Sequence, residues 1–483
     1  MTHATEQEYE TVIGLEVHLQ LSTNTKIFCG CANKFGEAPN TLTCPVCLGL
    51  PGSLPVVNER VLTYAMKVGL ALNGTINPFI KFDRKNYFYP DCPKAYQISQ
   101  FDHPICSDGS LIIESDNGQP KKIRINRAHI EEDAGKLIHD DGDNYSLVDY
   151  NRTGTPLMEI VTEPDMRSAQ EAYNYLQILK LTLQYLNVSD CDMEKGSLRC
   201  DANISIRPAG KKELGTKTEL KNMNSFKAVK AGLEHEISRH QTAIRSGQHI
   251  VQETRLWDEA RGITIVMRSK EQAHDYRYFP EPDLVPFMID ESAIEEARKS
   301  LPELPMKKRD RLIKQYKVAI SDVNILISDP NLADFFEQCV HHYKDIKKIC
   351  NWINGPLLKE LNARKVSISA IDLKPEDFTS LISKVEEAVL SNLAGKDVLT
   401  FLIDTGKSID TIIEEKGLAQ VSDDSTLEKL VAEIIDEHKN IADQIRGGKE
   451  SAVGFLVGQA MQKTQGKANP KKIGEIIKKA LIS

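Results

Sequence analysis

The sequence predicts an α+β fold, in which a domain of mixed sheet and helix comes first and helical domains follow. Strand-like alternation and Pro-rich, aromatic segments dominate residues 1 to about 290, and helical periodicity dominates from Met306 onward. The 483 residues are enough for two to four domains, and 41 % hydrophobic and 27 % charged residues are ordinary values for a globular protein. No apolar run of about 18 residues occurs, so we expect no membrane span.

Two segments of the first region carry the clearest strand patterns. In "RCDANISIR", Cys200, Ala202, Ile204 and Ile206 alternate with polar neighbours. Such a period of two predicts a strand with one buried face and one polar face. "TVIGLEVHLQL" alternates less regularly but also predicts a strand.

A helix is predicted directly after the polar pair Asn224 and Ser225. Phe226, Val229 and Leu233 recur at helical spacing behind this cap signal, and Ile237 continues the same pattern.

The charged, Pro-punctuated segment "SLPELPMKKRDRL" predicts a hinge, because Pro302 and Pro305 disfavour a continuous helix. We therefore expect three domains, at residues 1–292, 293–397 and 398–483.

The last domain contains two helix-start signals. Ser425-x-x-Glu428 has the spacing of a capping box. Asn469 followed by Pro470 predicts the start of the final helix, whose apolar side includes Ile473. The remaining apolar residues of that side are Ile476, Ile477, Ala480 and Leu481.

Charge is spread unevenly along the chain. The whole chain has a net charge of −8, yet Arg446–Ser483 contains eight Lys or Arg and two Glu, a net charge of +6. A basic tail on an acidic body predicts that this end of the protein meets a polyanion.

The N-terminal segment "MTHATEQEYETVIG" is polar and acidic, without the basic start and apolar core of a signal peptide. We therefore expect a cytoplasmic protein, in which thiols stay reduced. In that compartment, clustered cysteines favour a metal site over disulfides.

Four cysteines lie close together, as Cys29-x-Cys31 and Cys44-x-x-Cys47. Four thiolates suit a tetrahedral zinc ion, and such a closed site is structural rather than catalytic. The sequence thus predicts a zinc-braced loop over residues 29–47. The alternative is four free cysteines that happen to cluster.

Acidic residues and a histidine occur within strand-like, apolar segments. Glu16 and His18 are two residues apart and so point the same way in a strand, and Glu159 sits in the apolar run "PLMEIV". Asp201 and Glu219 lie in further strand-like segments, and "RAHIEEDAGK" adds another histidine and more acids. Carboxylates with one imidazole suit Mg²⁺ or Mn²⁺. Ion pairs across a sheet and a hydrogen-bonded core histidine are the structural alternative.

Phosphate-binding motifs are weak in this chain. "DTGKS" imitates the end of a P-loop, but the required first glycine would fall on Phe401, so a helix-ending turn is favoured. In "FDRKNYFYPDCPKAYQISQF", Lys85, Tyr87 and Lys94 could contact phosphate, although the aromatic residues could equally be core.

Several long motifs together resemble one known family. They are "IGLEVHLQL", "KFDRKNYFYPDCPKAYQISQF", "HIEEDAGK", "NRTGTPLMEIVTEPD", "MEKGSLRCDANIS", "TELKNMNSFKAV", "DYRYFPEPDLVP" and "VGFLVGQAMQKTQGKANPKKIGEIIKKAL". Their order and spacing resemble the B subunits of the glutamyl/aspartyl-tRNA amidotransferases, over nearly the whole chain.

The resemblance implies a ligase of protein biosynthesis that works as a heterotrimer with two other proteins, an amidase-like glutaminase and a small third partner. With ATP and Mg²⁺, members of this family phosphorylate the side-chain carboxylate of mischarged Glu-tRNA(Gln) or Asp-tRNA(Asn). Ammonia channelled from the glutaminase then displaces the phosphate. The implied fold is a catalytic cradle domain, a helical domain and a small helical tail that binds the tRNA.

The resemblance also implies roles for individual residues. His18, Glu132 and Glu159 match magnesium ligands, and Glu16 lies beside them. The implied catalytic positions also include Asp201, Glu219, Lys85, Tyr87 and Lys94. The implied tRNA-binding lysines of the tail are Lys463, Lys467, Lys471 and Lys472. The resemblance supports zinc at the four cysteines without requiring it.

Two other functions fit parts of the sequence. A non-catalytic, zinc-braced tRNA-binding protein would need the cysteines and the basic tail but no buried acids. A metallohydrolase would use His18 and the carboxylates without ATP.

Overall fold

The structure is a computed structural model that divides into two compact units, Met1–Pro305 and Met306–Ser483. The residues it describes are 8–139, 145–269, 275–419, 423–464 and 468–481.

The first unit is built around a sheet of nine strands, accompanied by three small sheets within the described residues. In chain order the strands are β1 (Tyr9–Gln20), β2 (Thr75–Ile76), β3 (Phe79–Ile80), β4 (Asp83–Asn86), β5 (Tyr96–Ser99), β6 (Cys106–Glu114), β7 (Pro120–Glu132), β8 (Lys136–His139), β9 (Ser146–Asp149), β10 (Pro156–Thr162), β11 (Leu198–Pro208), β12 (Thr218–Lys221), β13 (Glu253–Asp258), β14 (Ile263–Ser269), β15 (Phe279–Pro280) and β16 (Phe287–Met288). The large sheet has the order β14-β13-β12-β11-β1-β10-β7-β6-β2. Its neighbours are antiparallel except for the parallel pair β12 and β13.

Helices of the first unit begin at polar caps. They are α1 (Glu59–Ala71), α2 (Ala169–Leu186), α3 (Phe226–Arg245) and α4 (Glu291–Lys299). The side chains of Asn58, Ser168 and Ser225 accept backbone N–H groups of the first turns of α1, α2 and α3. The predicted start of a helix after Ser225 is confirmed.

Side-chain alternation gives the large sheet one apolar and one polar face. On β1, Ile13, Leu15, Val17 and Leu19 are buried in a core that α1, α2 and α3 share. The residues between them, such as His18, therefore project from the opposite face. Both predicted strands are confirmed, as are the α+β fold class and the buried alternate positions of β11.

The predicted hinge segment contains a break in regular structure, which is confined to its first residues. The break covers residues 300–304, between α4 and α5 (Pro305–Tyr316). Pro305 does not interrupt a helix but begins one, because the first helical turn has no use for the N–H that proline lacks.

The second unit is helical throughout its described part. Its further helices are α6 (Ile320–Leu326), α7 (Pro330–His342), α8 (Ile346–Trp352), α9 (Leu358–Arg364), α10 (Pro375–Glu386), α11 (Asn392–Thr405), α12 (Ile409–Lys416), α13 (Asp424–Glu437), α14 (Lys439–Arg446), α15 (Val453–Lys463) and α16 (Pro470–Leu481). A π-helical turn, Ile353–Leu357, joins α8 to α9, and short 3₁₀ turns occupy Ile368–Ala370 and Glu450–Ala452.

Helices α13 to α16 share an apolar core of their own, which runs from Leu427 to Leu481. The predicted domain boundary between residues 397 and 398 falls inside α11, where Val398 and Leu399 are fully buried. The three-domain division stays a prediction, but this boundary does not coincide with a linker.

Of the two helix starts predicted in the last domain, one is confirmed and the other is wrong. Asn469 accepts the backbone N–H groups of Lys471 and Lys472, which confirms the start of α16. The capping box at Ser425 is wrong, because Asp423 caps α13 by accepting the N–H of Thr426 at 2.9 Å.

The P-loop-like segment is a helix-ending turn, as predicted. Helix α11 ends at Thr405, and Gly406 follows with the positive φ of 63° that glycine tolerates best. Ser408 then caps α12.

A buried acid on α3 joins that helix to the strands beside the polar face. Glu236 is fully buried, and its carboxylate accepts hydrogen bonds from Thr264 of β14 at 2.5 Å and from Arg239 at 2.8 Å. Burial alone would raise the pKa of Glu236, but His240, Arg239 and Thr264 hold it well below its usual range.

Replacing Glu236 by Gln should lower the free energy of unfolding by about 3–5 kcal/mol at neutral pH, because buried cationic partners lose their counter-charge. The depressed pKa means that this stability is present above the unfolded pKa of about 4.3 and is lost as pH falls. The difference between wild type and variant should therefore narrow in acid, measured by urea unfolding from about pH 7 down to pH 3. Glu234→Gln, at a side chain that is 57 % exposed on the same helix, is the control and should change little. A difference that does not depend on pH would contradict the assigned role of the charge.

Candidate functional site

The polar face of the large sheet gathers most of the predicted catalytic residues. His18 on β1 lies opposite Glu159 on β10, and Glu16 on β1 lies opposite Asp201 on β11. Glu219 follows on β12, the next strand along. Because cross-strand partners project to the same side of a sheet, these residues share one surface.

His18, Glu131 and Glu159 form the tightest carboxylate–imidazole group on this face. Nε2 of His18 lies 3.7 Å from Oε2 of Glu159 and 4.0 Å from Oε1 of Glu131. One ligand atom from each residue lies within 4.8 Å of the other two. Two carboxylates and one imidazole at such distances fit a hard divalent cation such as Mg²⁺ or Mn²⁺.

The structure corrects the predicted position of Glu132. Consecutive strand residues point to opposite faces, and it is Glu131 that joins His18. Glu132 instead accepts the backbone N–H of Ile98 at 2.9 Å and pairs with the ammonium of Lys94. Lys94 is thus engaged on the other side of β7 and does not face the cluster.

His129 also belongs to this group, although it is not among the predicted metal ligands. Its Nε2 lies 3.2 Å from Oε2 of Glu159 and 3.8 Å from Oε2 of Glu131. Burial alone would lower the pKa of His129, but hydrogen bonds to these two acids raise it to about 9. The signal was available, since His129 and Glu131 are two residues apart in "HIE", as Glu16 and His18 are in "EVH".

Positive neighbours keep both acids of the cluster ionised. Burial alone would raise the pKa of Glu159, but His129, His18 and Lys85 hold it far below its usual range. The pKa of Glu131 is likewise lowered against the effect of burial, by His129 and Lys85. Both carboxylates therefore stay ionised throughout the neutral pH range.

Lys85 and Tyr87 lie close enough to Glu131 for its charge to act on both of them, and their contact with phosphate stays a prediction. Nζ of Lys85 lies 4.8 Å from the centre of the Tyr276 ring, and Tyr87 packs edge-on against that same ring. Burial lowers and the nearby Glu131 raises the pKa of Lys85, with a net increase. Burial also raises the pKa of Tyr87, which stays a neutral phenol.

Glu16, Asp201 and Glu219 make a second acidic group on the same face. Lys221, another residue that sequence reasoning missed, pairs with Asp201 and lies 3.0 Å from Oε1 of Glu219. Glu16 accepts a hydrogen bond from Asn203 at 2.9 Å. Burial, with the charges of Glu159, Glu219 and Asp201, raises the pKa of Glu16.

A cavity of about 610 Å³ adjoins the polar face and is lined by Gln20, Arg199 and Asp201. Gln20 and Arg199 both donate hydrogen bonds to Asp133, at 2.8 and 2.9 Å. The other basic residues of the lining are Lys34, Lys136, Arg152 and Lys195. A cavity of this size and charge can hold a phosphorylated ligand.

The four clustered cysteines come together as the sequence predicts. One sulfur from each of Cys29, Cys31, Cys44 and Cys47 lies within 4.8 Å of the other three. The Cys44-x-x-Cys47 turn also directs the backbone N–H of Cys44 to Sγ of Cys47, at 3.2 Å. Four converging sulfurs fit a structural zinc ion, and zinc itself stays a prediction.

Cys47 has an acidic thiol. A hydrogen bond with Cys29 lowers its pKa to about 5, against the effect of burial, with help from the charge of Lys26. Desolvation raises the pKa of Cys31 to about 11. Such mutual dependence is typical of thiols close enough to share one ion.

The predicted tail lysines differ in their surroundings. Lys463 already pairs with Glu433 and Glu437, at 3.1 and 2.8 Å. Lys471 is exposed in the first turn of α16, and Lys472 is half-buried beside it. Lys467 lies outside the described residues.

Comparison with known proteins agrees with this arrangement. Residues 11–295 match the family model described as the GatB/GatE catalytic domain, and residues 334–481 match the GatB domain. The chain is 53 % identical over 474 residues to a protein of Caldanaerobacter subterraneus, covering 98 % of this chain and 99 % of that protein. It is 50 % identical over 478 residues to one of Carboxydothermus hydrogenoformans, with the same two coverages. Both relatives are named as the B subunits of aspartyl/glutamyl-tRNA(Asn/Gln) amidotransferases.

The match over residues 11–295, which contain the polar face and its carboxylate–imidazole cluster, shows a protein of the GatB/GatE catalytic class. Within that class, the chain belongs to the family of the aspartyl/glutamyl-tRNA(Asn/Gln) amidotransferase B subunits, which are parts of glutamine-hydrolysing ligases. Among the described residues, no helix combines the length and the apolar character needed to cross a membrane.

Replacing Glu131 by Gln should weaken divalent-cation binding by at least about tenfold, a loss that even outer-shell changes at metal sites can reach. The matched control is Glu132→Gln, the same change one residue on, which should leave cation affinity nearly unchanged because Glu132 faces Lys94. Mn²⁺ serves as the probe, with free Mn²⁺ measured by electron paramagnetic resonance and folding checked by circular dichroism. Loss of binding in Glu132→Gln alone would contradict the geometry.

Proposed function

We propose that this protein catalyses the ATP- and Mg²⁺-dependent phosphorylation of the side-chain carboxylate of Glu-tRNA(Gln) or Asp-tRNA(Asn), followed by its amidation with ammonia. The observation that carries the proposal is the His18–Glu131–Glu159 cluster, which lies on the polar face of the large sheet together with Lys85. Ammonia would come from an amidase-like glutaminase, in a cytoplasmic heterotrimer completed by a small third partner.

His18, Glu131 and Glu159 would hold the magnesium ion, which when bound neutralises charge on the phosphate oxygens of ATP. Lys85 is positioned to attract the transferred phosphoryl group, because its ammonium stays charged beside the cluster. The substrate carboxylate attacks the γ-phosphorus, ADP leaves, and an acyl phosphate forms.

Glu16 is suited to the amidation step. Ammonia attacks the acyl carbon, phosphate leaves, and the new C–N bond requires loss of a proton. The raised pKa of Glu16 makes it a better proton acceptor than an exposed carboxylate. Lys221 would hold Asp201 and Glu219 in place around it.

The zinc site and the tail would support the same reaction without taking part in its chemical steps. Zinc at the four cysteines would brace the loop of residues 29–47, part of which lines the 610 Å³ cavity. Helices α13 to α16 would bind the tRNA body. Lys471 and Lys472 stand at the N-terminal end of α16, where the helix dipole disfavours cations, so a polyanion partner would offset a local cost.

The two alternatives make different demands on the polar face. A purely structural tRNA-binding protein gives no reason for two ionised acids around His18, one of them buried and the other half-buried. A metallohydrolase accounts for the cluster but not for the match to amidotransferase B subunits along the whole chain.

In the reconstituted complex, single-turnover ADP release should require mischarged tRNA, and Glu131→Gln should slow it by roughly a hundredfold or more. Uncharged tRNA is the control substrate, and tRNA binding by Glu131→Gln should persist. Hydrolysis of the substrate without ATP would favour the metallohydrolase. Unchanged ADP release in Glu131→Gln would favour a non-catalytic, tRNA-binding role. Assaying both mischarged tRNAs would identify the one that is used.

Replacing Lys471 and Lys472 by Ala should reduce the salt dependence of tRNA binding by about one unit of slope per lost phosphate contact. Lys463→Ala is the matched comparison, with a smaller effect expected because Glu433 and Glu437 already neutralise that lysine. Binding is measured by filter retention over a range of KCl concentrations. An unchanged slope in the double variant would mean that these lysines face solvent in the complex.

A further inference from the structure

Lys26 is a completely buried lysine at the cysteine cluster. Its exposed fraction is 0 %, and it is among the largest fully buried side chains of the described chain. Nζ donates a hydrogen bond to the carbonyl oxygen of Leu42 at 2.7 Å and lies 3.7 Å from Sγ of Cys47.

A buried ammonium requires an anionic partner, because desolvating an uncompensated charge is expensive. Among the residues that the structure describes, no carboxylate forms an ion pair with Lys26 within 4.0 Å. The sulfur of Cys47 is therefore the candidate for its anionic partner.

Four thiolates around a divalent ion carry a net charge of −2, and a neutralising group nearby would stabilise them. We infer that Lys26 is the buried counter-ion of the four-cysteine metal site, and that it positions Cys47 through a charge-assisted N–H···S contact. This inference rests on the proposed zinc site.

Lys26 also connects the two halves of the cluster. Its backbone N–H donates to the carbonyl of Cys31 at 3.0 Å, while its ammonium reaches Leu42, two residues before Cys44. One residue thus fastens the Cys29-x-Cys31 turn with its backbone and the Cys44-x-x-Cys47 turn with its side chain. Metal-ligand partners of this kind commonly fix the geometry of the ligands themselves.

A counter-ion and a packing residue respond differently to removal of the metal. Zinc would hold four thiolates together beside Lys26, so the need for a positive charge there is greatest in the metal-bound protein. Lys26→Met should therefore destabilise the metal-bound protein more than the metal-free protein. If Lys26 only filled space, its replacement would lower the stability of the protein equally with and without zinc.

The test compares full-length wild type with Lys26→Met, using zinc as the probe. Chelator competition should show zinc affinity lower in the variant by about tenfold to a hundredfold. The rise in Tm on adding zinc should shrink, because the variant loses more stability with zinc than without it. Lys34→Met, which removes an exposed charge from the same loop, should match wild type in every measurement.

Each of the other possible outcomes would contradict either the role of Lys26 or the proposed zinc site. Equal zinc affinity in wild type and Lys26→Met overturns the inference, as does equal destabilisation with and without zinc or failure of the variant to fold in both states. Wild type that binds no zinc overturns the proposed zinc site itself, which is a separate failure.

A second comparison, in a variant whose metal site carries less negative charge, makes the test more specific. Cys31→His replaces a thiolate by a neutral ligand, which changes the net charge of the metal-bound site from −2 to −1 and leaves Lys26 in place. Lys26→Met should then cost less zinc affinity in the Cys31→His background than in wild type. Equal losses in the two backgrounds would show that Lys26 does not act through its charge.

Discussion

The two-residue alternation of strand side chains is the constraint on which the rest of this structure depends. One face of the large sheet is committed to the apolar core with α1, α2 and α3, so every second residue is available for chemistry. On β1 this alternation puts Leu15 and Val17 into the core and places Glu16 and His18 together on the other side. The acidic groups converge because four adjacent strands, β7, β10, β1 and β11, obey the same rule in register.

Concentrating acids on one face creates an electrostatic problem that the structure answers locally. Each acidic group has its own cation: His129 and Lys85 stand beside Glu131 and Glu159, and Lys221 stands between Asp201 and Glu219. The same arrangement recurs at Glu132, which Lys94 neutralises, and in Glu236 with its arginines. Glu16 is the exception on this face, and its raised pKa follows from that difference.

Much of this could be predicted from the sequence, and the misses have a common physical cause. Periodicity identified β1, β11 and α3, and composition placed the change of character near residue 290, about ten residues before the break at 300–304. The choice between Glu131 and Glu132 depends on which alternate residues of β7 face the core. The sequence alone does not distinguish two adjacent glutamates in this respect. Partners such as Lys221 and Lys26 come from strand pairing and loop closure, which local pattern does not contain. The misplaced cap at Ser425 is an error of two residues, the usual uncertainty where several polar residues compete for one helix end.

The opposed directions of Glu131 and Glu132 also restrict how this chain can evolve. A single-residue insertion in β7 before His129 would exchange the faces of every residue that follows it, moving Glu131 away from His18 and Glu132 away from Lys94. The carboxylate–imidazole cluster and the Glu132–Lys94 pair would both be lost, although neither glutamate would itself be substituted. Length variation among descendants of this gene should therefore accumulate in the turn between β6 and β7, at Ser115–Gln119, while the strand itself changes only by substitution.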